Sequence, residues 1–383
     1  MSDSTVAGAT QALQRAMPMT RLLDCGMDHA DAVQLFGQTS AGNDWDRVAE
    51  TLADAQFERA AQAAATGHLQ TAAEAQAMGV ADLVFAQMAF NADVPRKRAL
   101  YRRLRDATLM LAEWSAQHIE RIELPFGAGR LVGWLLRPAV GQARGTVLLF
   151  GGQSGWGVAY LPLARALGQR GLATLLAEGP GQGETRIEYG VYLDVDVTSA
   201  YRRFVDSIVA DTSLGVPGVW GNSVGGLFAA SIAASDNRLR ACCVNGAFAA
   251  PKLLPFRTFA EQAAAMLGSD NQMTIQANFE RLRFRADRDR IGCPLLVLHG
   301  GADPLVKLDD QRPFLDAATM PDATTLRVWP DGEHTIYNHA AERTAFVADW
   351  FADRLTPTFK QRNASPTGDG RTEKITTMKG DTA

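Results

Sequence analysis

Gly221, Ser223 and Gly225 stand in the order G-x-S-x-G within Val219-Trp220-Gly221-Asn222-Ser223-Val224-Gly225-Gly226. A serine at the tip of a sharp strand-to-helix turn offers its hydroxyl as a nucleophile. Glycines two residues before and after it remove the Cβ atoms that would collide across the turn. Such a serine needs a base, and the base needs an acid to orient it. Two later stretches carry candidates. Asp303 follows two glycines in Leu298-His299-Gly300-Gly301-Ala302-Asp303-Pro304-Leu305-Val306. His334 closes Trp329-Pro330-Asp331-Gly332-Glu333-His334-Thr335. In this arrangement His334 takes the proton of Ser223, while Asp303 fixes the tautomer and steadies the imidazolium.

An attacked carbonyl also needs donors for its developing oxyanion. The N–H of Val224, at the start of the helix after the serine, is one candidate. The N–H of Gln153, within Phe150-Gly151-Gly152-Gln153-Ser154-Gly155-Trp156-Gly157, is the second. That glycine-rich stretch lacks the Gly-Lys-Ser/Thr ending of a phosphate-binding loop. Other polar residues nearby read as structural. Asp309 and Asp310 suit the N-terminus of a following helix. Asp331 shapes a turn, His339 sits at a helix start, and His299 ends a buried strand. Trp156, Tyr160, Phe248 and Phe256 are candidates to line an apolar pocket for an aromatic or polyketide-like small molecule.

The elements that must position these groups change character near residue 119. Residues 1–43 read as irregular, with a short helix around Ala12 to Leu23. Residues 44–118 read as almost wholly helical. Trp45, Val48, Leu52 and Ala55 recur at helical spacing, Gly67 ends that helix, and an alanine-rich segment follows. Pro95 opens a third helix whose stripe is Leu100, Leu104, Ala107, Leu111 and Trp114. Arg102, Arg103, Arg105 and Asp106 fall off the stripe, on a solvated face. This helical region is expected to cap the site and is a candidate dimer interface.

From 119 to 355 short apolar strands alternate with helices, after a hairpin-like start around Gly127-Ala128-Gly129. Alternation of this kind predicts an α/β fold: a mostly parallel sheet with helices on both faces. Ligands then bind at the carboxyl ends of the strands, where Ser223, Asp303 and His334 fall. Residues 252–290 interrupt the alternation and read as a helical lid. The polar tail from 356 to 383 reads as disordered.

Composition narrows the function class. The 383 residues are 46% hydrophobic with a net charge of −4, and no long basic run argues for nucleic acid or an anionic membrane as partner. No apolar stretch reaches the length of a membrane span, and the N-terminus lacks a basic-then-apolar signal pattern. The spacing of Cys25, Cys242, Cys243 and Cys293 suits neither a disulfide framework nor a zinc site. The expectation is a cytoplasmic enzyme without a metal or organic cofactor.

Over residues 119–355 the chain resembles the α/β-hydrolase superfamily. The order Ser223, Asp303, His334 carries the resemblance, together with Glu178-Gly179-Pro180-Gly181-Gln182-Gly183-Glu184, which looks like the Asp-x-Pro-Gly-x-Gly turn of many members with Glu178 replacing Asp. With the helical N-terminal region, it is similar to the FrsA-like group. That group includes 2,6-dihydroxypseudooxynicotine hydrolase and fungal hydrolases that shorten polyketide chains. The resemblance implies a serine hydrolase acting on a carbon–carbon bond beside a ketone, or on an ester. Acyl transfer and non-catalytic ligand binding on the same scaffold are the alternatives. The nicotine-pathway member implies a further glutamate after the strand that follows the serine's helix. Here that stretch reads Asn245-Gly246-Ala247-Phe248-Ala249-Ala250-Pro251, and no acid appears until Glu261.

Overall fold

The structure, a computed structural model, describes residues 3–193 and 196–356. The tail expected to be disordered lies outside the described residues from 357 onward.

Eight strands form one sheet: β1 (Ile119–Phe126), β2 (Gly129–Leu136), β3 (Gly145–Phe150), β4 (Ala173–Glu178), β5 (Val216–Asn222), β6 (Cys242–Asn245), β7 (Leu295–Gly300) and β8 (Thr324–Trp329). Their order across the sheet is β1-β2-β4-β3-β5-β6-β7-β8. β2 runs antiparallel to β1 and β4, and every later pairing is parallel. The mostly parallel sheet expected from the alternation is therefore present. Strands β3 to β7 are buried at nearly every position, as a sheet covered on both faces requires. One core includes Val147, Leu149, Trp220 and Phe351; the other includes Leu148, Phe150, Val219 and Phe228. These alternate along β3 because successive side chains point to opposite faces. Cys242 and Cys243 divide between the same two cores, and all four cysteines are free and buried.

The N-terminal part is more ordered than its polar composition suggests. Residues 1–43 read as irregular, yet they carry α1 (Asp3–Ala16), α2 (Met19–Asp24) and α3 (His29–Ser40). Pro18 divides the single short helix expected there, since the residue before a proline avoids helical backbone. Asp28 caps α3, its Oδ1 accepting from the N–H of Ala30 at 2.9 Å. Leu22, Ala32 and Leu35 are fully buried. Helices this short hold through tertiary packing rather than propensity, and a periodicity reading does not register that.

Then come α4 (Trp45–Ala65), α5 (Leu69–Met88) and α6 (Pro95–Trp114). The rest are α7 (Leu161–Gly168), α8 (Gly183–Ile187), α9 (Val197–Ala210), α10 (Val224–Ser235), α11 (Arg257–Leu267), α12 (Gln272–Leu282), α13 (Leu308–Asp316) and α14 (Ala340–Leu355). Helices α11 and α12 occupy the expected lid segment. Among the described residues no helix is long and apolar enough to cross a membrane.

Helix α5 is buried on nearly all sides, and it carries Asp82 at 0% exposure. Neither carboxyl oxygen of Asp82 has a hydrogen-bond partner. Burial, with Asp31 and Asp28 nearby, pushes its pKa up to about 8. Between its ordinary value and 8 the native chain keeps a proton that the unfolded chain has released. Stability at this position therefore falls as pH rises through that window. Asp82→Leu is expected to stabilise the fold, by on the order of 1–3 kcal/mol at pH 5 and by more at pH 8. Thermal melts at the two pH values check both the sign and the trend.

Candidate active site

Ser223 sits between β5 and α10 with φ 56° and ψ −133°. Few non-glycine residues adopt that backbone. A Cβ on Gly221 would lie 2.0 Å from the carbonyl oxygen of Gly225, so only glycine lets the strand end and the helix start pass so closely. The N–H of Ser223 donates to the Asn245 carbonyl at the end of β6, 2.8 Å away. The side chain of Asn245 donates to Asn222 Oδ1 at 2.8 Å and to the Thr335 carbonyl at 3.1 Å. Asn245 thus ties the serine turn to the histidine loop. Sequence reading gave it no such role, because its partners lie 23 and 90 residues away.

His334 follows β8, and Asp303 follows β7. The imidazole Nε2 is 3.0 Å from Ser223 Oγ, and Nδ1 is 2.8 Å from Asp303 Oδ2. An ionised carboxylate only accepts, so Nδ1 carries the proton and Nε2 is left to accept from the serine hydroxyl. The Asp303 side chain is fully buried. Its Oδ1 accepts from the N–H groups of Leu305, at 2.8 Å, and Val306, at 3.1 Å. Burial alone would raise its pKa. His334 and these backbone donors outweigh it and hold the carboxyl below its ordinary value.

The loop after β3 faces the serine. A Cβ on Gly152 would lie 3.1 Å from both Ser223 Oγ and the Val224 nitrogen, so this glycine keeps open the space a substrate carbonyl would need. Val224 begins α10, where first-turn N–H groups lack helical partners. The loop is fixed by Gln182, whose Nε2 donates to the carbonyls of Gly151 at 2.7 Å and Gly152 at 3.0 Å. The turn Glu178–Glu184 therefore supports the loop that carries Gln153. Glu178 accepts from Tyr101 Oη at 2.5 Å and from the Glu184 N–H at 2.6 Å. Burial still pushes its pKa up to about 7.

A cavity of about 620 Å³ opens onto Ser223 and His334. Gln153, Tyr160 and Phe256 line it as expected, with Phe259, Leu305 and Tyr337. Trp156 and Phe248 do not. The Trp156 ring lies between Lys97 and Arg186, 5.2 and 4.9 Å from its centroid, and its Nε1 donates to the Gly152 carbonyl. Phe248 is packed into the core beside α10 and β7. Both were aromatic residues near strand ends, and sequence position alone did not reveal which way they turn.

The cavity wall also differs from the expectation for residues 45–118, none of which lines it. Ala12, Arg15, Ala16, Pro18 and Arg21 of the N-terminal segment form that side, and α11 forms the other. No sequence signal pointed to Arg21, which reaches the site through a contact with Ser154, 133 residues away.

The remaining polar residues take structural places. His299 Nδ1 meets Gln311 Nε2 at 2.9 Å, and burial lowers its pKa. Asp331 pairs with His339 on the surface, and Asp310 accepts from the Lys307 N–H to cap α13. Glu261 lies on α11, facing Asn91 and Arg257 rather than the serine. Among the described residues no group of three or more His, Cys, Asp or Glu side chains could hold a metal ion.

Gly152→Ala would place its Cβ 2.9 Å from Ser223 Cβ. It is expected to lower the melting temperature by a few degrees and, in protein still folded at 25 °C, to cut labelling of Ser223 by a fluorophosphonate by two orders of magnitude or more. Intact-mass analysis reads the labelling directly, and undiminished labelling would contradict the steric argument.

Comparison with known proteins agrees with this architecture. The model of the prolyl oligopeptidase family matches residues 188–358. A 2,6-dihydropseudooxynicotine hydrolase of Paenarthrobacter nicotinovorans is 29% identical over 203 residues, which are 50% of this chain and 54% of the relative. The α/β hydrolase ucsC of an Acremonium species is 34% identical over 164 residues, 37% of this chain and 33% of the relative. The chain thus spans about half the length of the first of these curated relatives and a third of the second. The crystal structure of a 2,6-dihydroxy-pseudo-oxynicotine hydrolase superposes with a TM-score of 0.79 at 23% identity, over 88% of this chain and 95% of that one. By its sheet order, its serine turn and this superposition, the chain has the α/β-hydrolase fold.

Proposed function

We propose that the chain is a serine hydrolase that attacks an activated carbonyl of a small or medium-sized metabolite. The observation that carries the reading is the hydrogen-bonded row Ser223–His334–Asp303, whose serine and histidine line the cavity. In this reading His334 removes the hydroxyl proton as Ser223 Oγ attacks. The N–H groups of Val224 and Gln153 receive the oxyanion. The imidazolium then returns its proton to the leaving group, and a water activated by the same histidine releases the acid. Asp303, ionised throughout the neutral range, keeps Nδ1 protonated and stabilises the cation.

The leaving group follows from the acids within reach. Glu333 is the carboxylate that lines the cavity, and its Oε2 already accepts from Thr20 Oγ1 at 2.7 Å. His334 is then the proton donor, which suits an ester alkoxide or a carbanion already stabilised as an enolate. Tyr160, Phe256, Phe259 and Tyr337 around the cavity suit an aromatic or extended apolar portion. That one relative is named for hydrolysing 2,6-dihydropseudooxynicotine supports a small-molecule substrate.

Incubation with short p-nitrophenyl esters and a panel of aryl 1,3-diketones, with products identified by mass, tests the reading. Turnover of at least one class is expected, and Ser223→Ala should lower kcat by roughly a thousandfold or more. Transfer of the acyl group to an added alcohol in preference to water would make the enzyme an acyltransferase. A Ser223 that stays unlabelled by fluorophosphonate in folded protein would favour a ligand-binding protein. Asp303→Asn should fold normally and lose orders of magnitude in kcat, because the serine then faces the wrong tautomer. Wild-type turnover in that variant would move the acid role to another residue.

A further inference from the structure

The cavity contains a buried cation without a counter-charge. Three arginines are buried among the described residues: Arg21, Arg186 and Arg343. Arg186 Nη2 meets Asp93 Oδ1 at 2.9 Å, and Arg343 grips both oxygens of Asp24 at 2.6 and 3.0 Å. Arg21 has no such partner. Its Nη1 donates to the Ala16 carbonyl and its Nη2 to Ser154 Oγ, each at 3.0 Å, and its Nε has no hydrogen-bond partner. The neighbouring acid, Asp24, is fully engaged by Arg343. Glu333, on the same cavity wall, is bonded to Thr20.

A guanidinium stays charged at any working pH and offers five donors in a planar fork. The Arg21 guanidinium lies over the Tyr337 ring, 5.8 Å from the centroid, but holds no carboxylate of its own. Its charge is only partly answered, an arrangement that costs stability unless something completes it. The same wall carries a second unused donor: Gln153 Nε2 is buried and unpartnered. Arg15 lines the cavity farther out and is exposed, adding positive charge on the same side.

We infer that the substrate carries a carboxylate, held by Arg21 in the same cavity as the carbonyl that Ser223 attacks. This rests on the proposed hydrolase reading and narrows it to acidic acyl compounds. Arg21 bonds to Ser154, and Gly152, two residues before, borders Ser223. Two residues of chain span at most about 7 Å, so the guanidinium and the nucleophile flank the same short loop on one cavity. Arg21 is a specificity residue in this scheme, and neutral analogues lose its contribution.

Binding to the Ser223→Ala variant tests the inference without depending on turnover. The probes are monophenyl glutarate and its neutral methyl ester, with affinities measured by calorimetry. The carboxylate probe is expected to bind at least tenfold more tightly, and Arg21→Gln in the same background should shrink that preference below threefold. Equal binding of the two probes, or a preference that survives Arg21→Gln, overturns the inference. If Arg21→Gln melts too early to assay, Arg21→Lys replaces it. Lysine keeps the charge and loses the fork, so an intermediate preference is expected, and an undiminished one counts against the assignment. Failure of the hydrolase reading would appear separately, as inert esters and diketones with the wild-type protein.

Discussion

The backbone of Ser223 is the constraint on which the site is built. A serine at φ 56° is strained by an amount on the order of 1–3 kcal/mol, and it persists only where its surroundings leave no alternative. They do so here. β5 lies in the middle of the sheet, flanked by β3 and β6, and the N–H of Ser223 is held by Asn245. A second strained pair stands on the other side of the proposed catalytic hydrogen bond. Thr335 and Ile336, directly after His334, have φ of 55° and 65°, which β-branched residues rarely adopt. The Thr335 carbonyl is gripped by Asn245 and by Arg343. Nucleophile and base are therefore both set by unfavourable local backbone, and one asparagine braces both.

That arrangement divides the labour of the chain. The polar row comes from loops at the carboxyl ends of β5, β7 and β8, all within one sheet and so rigidly spaced. The glycine-rich loop after β3 is braced from below by Gln182 and linked through Glu178 to Tyr101 of α6. Helix α6 therefore supports the site from behind the Trp156 loop. The cavity's outer walls come from elsewhere, from residues 12–21 and from α11. In the proposed reading the sheet performs the chemistry, and these two helical segments choose what reaches it.

What could be read in the sequence follows the same division. Short apolar strands alternating with helices define the sheet because burial on both faces leaves a strong pattern. Ser223, Asp303 and His334 are visible because each pairs a strand end with glycine or turn chemistry. Arg21 and Asn245 are not, since their meaning comes from partners brought near only by the fold. Trp156 shows the limit from the other side. Its position suggested a pocket lining, but two cations from α6 and α8 hold its ring away from the cavity. The order of residues 3–40 was missed for a related reason. Their helices are short, and what holds them is contact with later parts of the chain.

One of those contacts has a consequence for synthesis. Asp24 and Arg343 are separated by 319 residues, and both are almost fully buried. On a ribosome α2 emerges 319 residues of synthesis before the arginine of its partner helix α14. Until then Asp24 has no arginine to answer it, and so long a loop closes only once α14 has been made. The wall that holds Arg21 can dock only after the histidine loop has formed, because Arg343 also grips the Thr335 carbonyl. A polypeptide stalled short of α14 would lack the arginine that both Asp24 and the Thr335 carbonyl require.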